Sequence, residues 1–238
     1  MLIEVKNLTK VYDEGESATH ALRGVSFTIE KGVFVAVVGP SGSGKSTLLH
    51  ALSFLDRPSG GVYRFEGKAM DELTDKELAV IRNTKMGFVF QAFNLLARAT
   101  VLENVALPLV YAGVNPKERT RRARSVIEKV GLSHRIDHFS NQLSGGEKQR
   151  VTIARAIVNK PAVIFADEPT GNLDSVSGQQ VMEILEELQE NGHTILLVTH
   201  ETYTAEFAQR IIRLKDGKIE EDRSVAKRHF ARDHAFRK

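Results

Sequence analysis

The sequence predicts an α/β fold, in which a mostly parallel sheet carries an N-terminal antiparallel β-subdomain and an inserted α-helical subdomain. Buried strand-like runs alternate with helix-like stretches along the 238 residues, as they do in a sheet covered by helices. Residues 33–38 are a continuous apolar run that leads into a glycine-rich loop, which indicates a parallel strand buried on both faces. Residues 100–131 have a helical pattern, and we place the inserted subdomain at about 93–160.

Other segments follow the same scheme. Three stretches near the N-terminus have the composition of half-exposed antiparallel strands: residues 2–5, 25–29 and 62–65. A helix is expected after the glycine-rich loop, because Leu48, Leu52 and Leu55 fall on one side at spacings of four and three. Residues 163–166 and 194–198 are predicted as two more buried strands. Apolar residues at helical spacing predict a helix between them: Val181, Ile184, Leu185 and Leu188.

Prolines and a glycine mark local boundaries in the second half of the chain. Within the helical insertion, Pro108 is expected to bend the first helix and Pro116 to open the second. The dipeptide Asp216-Gly217 is a hairpin signal between the apolar run 211–214 and residues 218–219.

The composition limits the classes of function. The 33 basic and 30 acidic side chains leave a net charge of +3, which is too small to indicate nucleic-acid binding. Part of the basic excess lies in residues 225–238, where we expect a flexible tail after a single domain over residues 1–224. The absence of cysteine excludes disulfides and thiolate metal sites. No signal peptide or membrane-spanning segment is recognisable, so a membrane role is expected to come through a partner.

The glycine-rich loop matches a phosphate-binding pattern. Nine residues fit G-x-x-x-x-G-K-[ST]: Gly39, Pro40, Ser41, Gly42, Ser43, Gly44, Lys45, Ser46 and Thr47. Glycines let successive N–H groups turn inward around a polyphosphate, and the following helix adds its N-terminal dipole. Lys45 is expected to reach the β and γ phosphates, and the Ser46 hydroxyl to bind Mg²⁺. Because the loop joins a buried strand to an amphipathic helix, we interpret it as a nucleotide site and not as a flexible loop.

A pair of carboxylates follows the predicted strand at 163–166. Asp167 is predicted to hold Mg²⁺ through water, and Glu168 to polarise the attacking water as general base. Alone, an apolar run that ends in Asp-Glu more often marks a strand reaching solvent. Together with the phosphate loop, it predicts metal-assisted phosphoryl transfer.

Residues 143–150, Leu-Ser-Gly-Gly-Glu-Lys-Gln-Arg, stand between these two phosphate elements. By itself, Ser-Gly-Gly indicates only a turn and a helix cap. In this position the segment resembles the signature motif of ABC ATPases. The resemblance implies that Ser144, Gly145 and Gly146 bind the γ-phosphate held by a second copy of the chain. Two ATP molecules would then lie in the interface of a head-to-tail homodimer.

The resemblance extends from residue 2 to residue 221 and implies further roles. Tyr12 would stack on adenine, and Gln91 would contact Mg²⁺ and the attacking water. Asp174 belongs to a loop that would cross the dimer interface, and His200 would act as a switch on the γ-phosphate. The cofactors implied are ATP and Mg²⁺. The implied catalytic residues are Lys45, Gln91, Glu168 and His200, and the implied metal ligands are Ser46, Gln91 and Asp167.

Four segments are similar to the macrolide-exporter, lipoprotein-releasing and cell-division branch of these ATPases: residues 19–26, 55–58, 102–105 and 166–174. The resemblance implies an ATP-hydrolysing subunit of a transporter or mechanotransmission complex. Such a subunit is cytoplasmic and is held on the inner face of the membrane by an integral permease. The alternative is a soluble ABC ATPase acting on nucleic acid or chromosome structure. This alternative is disfavoured because such chains typically carry a long coiled coil or zinc insertion between the two phosphate motifs, whereas this chain has only the helical insertion there.

Overall fold

An antiparallel sheet forms the N-terminal part of the computed structural model, which describes residues 1–14 and 17–231. Its strands pair in the order β2 (Ser17–Ile29), β1 (Ile3–Glu14), β4 (Gly60–Phe65) and β5 (Lys68–Ala69). Ile3 and Val5 are buried whereas Lys6 is exposed, as expected where alternate residues face the core. The predicted antiparallel strands are confirmed, and β1 and β2 are longer than the sequence pattern indicated.

A second sheet of six strands forms the core. In pairing order they are β10 (Lys218–Ser224), β9 (Arg210–Lys215), β3 (Phe34–Val38), β8 (Thr194–Thr199), β7 (Val163–Asp167) and β6 (Met86–Phe90). Five strands are parallel, and β10 pairs antiparallel to β9 at one edge. Phe34 and Ala36 face one hydrophobic core, whereas Val35 and Val37 face the other. The mostly parallel sheet is confirmed, and it places the carboxyl ends of β3, β8 and β7 side by side.

Helices cover this sheet. In chain order they are α1 (Lys45–Leu52), α2 (Asp75–Lys85), α3 (Val101–Tyr111), α4 (Pro116–Lys129), α5 (Gly145–Ile157), α6 (Ser175–Glu190) and α7 (Thr202–Ala205). The helices α3, α4 and α5 lie between β6 and β7, where the sequence predicts a helical insertion. Pro116 opens α4 as predicted, and Pro108 lies inside α3. Over the described residues, every helix is too short or too polar to cross a membrane.

Local predictions have mixed outcomes. The hairpin turn is confirmed, with left-handed φ angles of 48° at Asp216 and 76° at Gly217. The prediction that Leu55 continues the apolar face of α1 is wrong. The helix ends at Leu52 and Phe54 adopts a left-handed φ of 59°, so Leu55 leaves the helix and is 47% exposed. The helix α2 was not predicted.

The expectation of a flexible tail from residue 225 onward is wrong for residues 225–231, which pack against the body of the protein. Ala231 is fully buried, and its N–H donates to the Glu186 carboxylate at 2.9 Å. The Arg228 guanidinium donates to the carbonyl of Phe207 at 2.6 Å and lies over the ring of Phe34. Basic composition suggested solvent exposure, but a long basic side chain can also pack along apolar surface. Residues 232–238 lie outside the described part of the chain.

Candidate active site

The loop that joins β3 to α1 packs so closely that only glycine fits at two positions. A Cβ atom on Gly39 would lie 2.1 Å from the carbonyl oxygen of Leu214 on β9. A Cβ atom on Gly44, where φ is 99°, would lie 2.4 Å from the carbonyl oxygen of Ala21 on β2. Backbone atoms of both sheets therefore lie close against the loop. The loop backbone curls there, as a backbone that surrounds a phosphate does.

Lys45 begins α1 and lies at the mouth of this loop. Its ammonium donates to the carbonyl oxygens of Gly39 and Pro40, at 2.8 Å each. Burial lowers the pKa of Lys45, and the negative charges of Glu168 and Asp167 oppose that shift. The loop thus holds the Lys45 ammonium at the place where the sequence predicts that a phosphate binds.

A cavity of about 1150 Å³ opens over the loop. Its walls contain these predicted site residues: Pro40, Ser41, Gly42, Gly44, Lys45, Ser46, Thr47, Glu168 and His200. Another part of the lining was not predicted from the sequence: Ala18, Thr19, His20, Ala21, Arg23, Asp216 and Gly217. The Gly217 N–H donates to the carbonyl of Ser43, and its own carbonyl accepts from the Arg23 N–H. The Asp-Gly turn was visible in the sequence, but only the pairing of β9 with β3 brings it to the phosphate loop.

Glu168 and His200 form a direct pair within the cavity. The Nδ1 atom of His200 lies 2.7 Å from Oε1 of Glu168. Glu168 has a left-handed φ of 44°, and its N–H donates to the carbonyl of Val198 on the neighbouring β8. The strand end and this turn direct the carboxylate toward the end of β8, where His200 follows. Both residues are predicted from the sequence to act in catalysis, but their contact with each other was not predicted.

The adjacent carboxylates and a hydroxyl form a donor set that fits Mg²⁺. Burial raises the pKa of Asp167, with a further contribution from the neighbouring charge of Glu168. A divalent cation would relieve this repulsion, and Mg²⁺ prefers the oxygen ligands that Ser46 and Asp167 offer. Among the described residues there is no cluster of three or more His, Cys, Asp or Glu side chains that could hold a metal. Such an ion would therefore depend on phosphate oxygens and water as well.

Gln91 follows β6 and pairs with a neighbouring loop. Its Nε2 donates to Oδ1 of Asn172 at 3.3 Å, and Nδ2 of Asn172 donates to the Gln91 carbonyl at 3.1 Å. A Cβ atom on Gly171 would lie 2.6 Å from Nε2 of Gln91, so the two segments are in close contact. Gln91 is not among the residues that line the cavity. Its contact with Mg²⁺ and water stays a prediction.

The signature segment forms a separate cluster with the start of α6. Ser144 caps α5 and accepts from the N–H of Glu147 at 3.2 Å. Asp174 caps α6 in the same way, accepting from the N–H of Ser177 at 2.9 Å. A Cβ atom on Gly146 would lie 2.6 Å from Oγ of Ser177, so the two helix starts touch. Neither Ser144 nor Asp174 lines the cavity of its own chain.

Tyr12 lies beside the site on β1. Its hydroxyl donates to Asp56 at 3.0 Å, and the Lys10 ammonium lies 4.8 Å from the centre of its ring. Burial raises the pKa of this phenol, and hydrogen bonding to Asp56 adds to the shift. Its stacking on adenine stays a prediction.

The fold and the site together define a class, the P-loop nucleotide-binding domains. A family profile described as ABC transporter matches residues 22–171, more than half of the chain. The chain therefore belongs to the ABC transporter family, in which it is an ATPase domain.

Similar proteins agree with this placement. An uncharacterized ABC transporter ATP-binding protein of Thermotoga maritima is 52% identical over 219 residues, which are 92% of this chain and 94% of that protein. The macrolide export ATP-binding/permease protein MacB of Chlorobaculum tepidum is 53% identical over 222 residues. That match covers 93% of this chain and 34% of MacB, so the chain spans about a third of that relative.

Solved structures give the same result. The dimeric ATP-binding cassette MJ0796, in a post-hydrolysis state with ADP and Pi, is 44% identical and has a TM-score of 0.87. The match covers 96% of this chain and all of that chain. No support for the nucleic-acid alternative comes from these relatives.

Proposed function

We propose that two copies of this chain close head to tail around two ATP molecules, hydrolyse them, and pass the resulting movement to an integral membrane permease. The observation that carries the proposal is that the two segments predicted to bind phosphate lie apart within each chain. The loop around Lys45 lies in the cavity, whereas the segment from Ser144 to Gly146 does not line it. A second copy can supply the missing segment, and the dimeric form of the similar cassette MJ0796 supports this arrangement.

The residues of the cavity suit hydrolysis. Glu168 lies next to the phosphate loop, where its carboxylate can accept a proton from an attacking water. His200 holds that carboxylate at 2.7 Å and can move onto the γ-phosphate when ATP arrives. Lys45 can exchange two carbonyl contacts for phosphate oxygens. Mg²⁺, held by Ser46, Asp167 and Gln91, would neutralise charge that develops on the phosphates.

A groove between the core and the inserted helices suits a permease. Its volume is about 760 Å³, and it is lined by α2, β6, α3 and α5. Val80 and Tyr111 in its walls are 55% and 77% exposed, which is high for apolar and aromatic side chains. Arg155 lies in the wall of the groove and donates to the carbonyls of Phe93 and Asn94. It therefore joins the groove to the segment just after Gln91, a predicted site residue. The similarity to MacB, an ATP-binding/permease protein, supports a permease as its occupant.

The experiment uses Glu168→Gln, which removes the base and keeps the shape of the side chain. Sedimentation with ATP and Mg²⁺ should show a stable dimer without turnover, whereas the same variant with ADP should remain monomeric. A monomer at high ATP and protein concentrations would contradict the head-to-tail site.

A tagged Glu168→Gln chain should retain one multi-span membrane protein from detergent-solubilised source membranes. Adding Val80→Glu, which places a charge in the groove, should abolish this capture and leave the ATP-dependent dimer intact. Capture that survives Val80→Glu would contradict the groove as the permease site. Association through a permease would place the chain on the inner face of the cell membrane.

A further inference from the structure

The signature helix α5 has a fully buried polar side chain for which the proposed chemistry gives no role. Gln149 lies on the second turn of α5 and is 0% exposed. Its Nε2 donates to the carbonyl oxygen of Pro169 at 2.8 Å. Burying a side-chain amide in the protein interior costs free energy unless its polar atoms are hydrogen-bonded. The buried Gln149 side chain therefore requires an explanation.

The environment of Gln149 fixes its orientation. Thr152, also fully buried, donates its hydroxyl to the Gln149 backbone carbonyl at 2.8 Å and lies 3.3 Å from Oε1 of Gln149. Because the side-chain oxygen is next to this hydroxyl, the amide nitrogen points to Pro169. The contact therefore has one orientation and joins two elements that are twenty residues apart in sequence.

The acceptor of this bond belongs to the loop that carries the predicted general base. Pro169 directly follows Glu168, whose φ of 44° is left-handed and unusual for a glutamate. The Glu168 carbonyl accepts from the Gly171 N–H at 3.0 Å, which closes the same turn. A displacement of the Pro169 carbonyl must therefore change the direction in which the Glu168 carboxylate points.

The other end of α5 is the signature segment. Ser144 caps the helix five residues before Gln149, which is about 7 Å along a rigid helix at 1.5 Å per residue. Any movement of α5 on engagement of Ser144 is carried by the helix to Gln149.

We propose that Gln149 is a positioning residue that couples the signature segment of each chain to the Glu168 loop of the same chain. The inference rests on the proposed dimer, in which Ser144 of one chain engages the ATP bound by its partner. Engagement at one ATP site would thereby orient the base at the other site. The pair of sites would then hydrolyse ATP with positive cooperativity, and Gln149 would be required for it.

The test compares Gln149→Met and Gln149→Leu with a matched control, Thr194→Val. The first two variants fill the site with an apolar side chain and remove the donor to Pro169. The control removes another buried polar group, the Thr194 hydroxyl that accepts from the Gly32 N–H at 2.9 Å, and leaves Gln149 and its surroundings in place. ATPase rates are measured over a range of ATP concentrations, well below the lowest Tm of the set, together with the Kd of a non-hydrolysable ATP analogue.

We expect Gln149→Met and Gln149→Leu to lower kcat by at least about tenfold, because small displacements of a catalytic group are costly. The analogue Kd should stay within about twofold, since the phosphate loop is untouched, and the Hill coefficient should fall to 1. Thr194→Val should lower Tm and keep kcat and the Hill coefficient. If the Gln149 variants have the kcat and Hill coefficient of the Thr194→Val control, Gln149 has only a structural role and the inference is wrong.

A double variant distinguishes the role of Gln149 from the formation of the ATP-dependent dimer. Glu168→Gln combined with Gln149→Met should form the ATP-dependent dimer as readily as Glu168→Gln alone. If Glu168→Gln alone fails to dimerise, the proposed function fails. If only the double variant fails to dimerise, Gln149 acts on closure, and its assignment to the Glu168 loop is overturned.

Discussion

The packed C-terminal segment makes a quantitative prediction about Arg228. Replacement by alanine removes the donor to the Phe207 carbonyl at 2.6 Å and a second donor to Gln189 at 3.1 Å. It also removes the contacts of the guanidinium with the rings of Phe34 and Phe230. The side chain of Arg228 is only 13% exposed, so water screens these contacts poorly.

The magnitude follows from these contacts. A hydrogen bond from a charged donor contributes about 1.5–3 kcal/mol, and a contact between a cation and a ring about 0.5–1 kcal/mol at a partly exposed site. The Glu186 carboxylate lies 4.0 Å from the guanidinium, at the limit of an ion pair, and we count nothing for it. The two hydrogen bonds and two ring contacts together contribute about 4–8 kcal/mol, and alanine recovers about 2 kcal/mol of side-chain entropy, so we expect a loss of about 2–6 kcal/mol in the free energy of unfolding.

The assay is urea denaturation of Arg228→Ala beside Lys227→Ala, since Lys227 is the adjacent residue and is exposed. With a slope of about 2–3 kcal/mol per molar, the midpoint of Arg228→Ala should fall by about 1–2 M. Lys227→Ala should remain within about 0.5 kcal/mol of the parent, as surface substitutions do. Equal midpoints for the two variants would refute the packing of residues 225–231 and restore the flexible tail.

Two further predictions concern the site. Gly146→Ala should lower the free energy of unfolding by about 1–3 kcal/mol, because its Cβ would lie 2.6 Å from Oγ of Ser177, which Asp174 already holds. Gly145→Ala meets the Leu173 side chain at 3.5 Å and the Asn172 carbonyl oxygen at 3.8 Å, which are ordinary contacts, and should not destabilise the protein in the same denaturation assay; equal losses would contradict the close contact of α5 with α6. Asp167→Asn should stabilise the nucleotide-free protein at pH 7. Burial raises the pKa of Asp167 above the unfolded value near 3.8, so the native state binds more protons and its stability falls as pH rises above that value. Urea midpoints should show this gain shrinking as the pH falls toward 4, while Mg²⁺-dependent ATPase activity is lost at every pH; a loss of stability at pH 7 would contradict the assignment.

Local sequence predicted the phosphate loop well, because its geometry depends on residues that are adjacent in the chain. The apolar run at residues 33–38 specifies the strand, and the pattern from Gly39 to Thr47 specifies a turn with left-handed positions and a helix start. The capping residue Ser144 is local in the same sense, since it bonds to the N–H group of Glu147 three residues later. The signature helix therefore begins where the motif indicates.

Contacts between distant segments were not predictable in this way. The turn at Asp216-Gly217 reaches the phosphate loop only because β9 pairs with β3. Gln149 looks like any polar residue in a helix, and its bond to Pro169 exists only because α5 packs beside the loop after β7. By composition Arg228 belongs to a solvated basic tail. Its guanidinium contacts the rings of Phe34 and Phe230 only because the C-terminal segment packs back on the body of the protein.

The sequence by itself determined the class of protein and the order of most of its strands and helices, α2 excepted, and it predicted the chemical groups that act on a phosphate. These depend on short-range backbone preferences and on residue types at fixed spacing. The tertiary structure decided which of these groups meet. It joined His200 to Glu168, kept Ser144 out of the cavity of its own chain, and buried Ala231. The physical reason is that such contacts depend on how whole elements pack, and no local pattern encodes the position of a segment relative to residues far away in the chain.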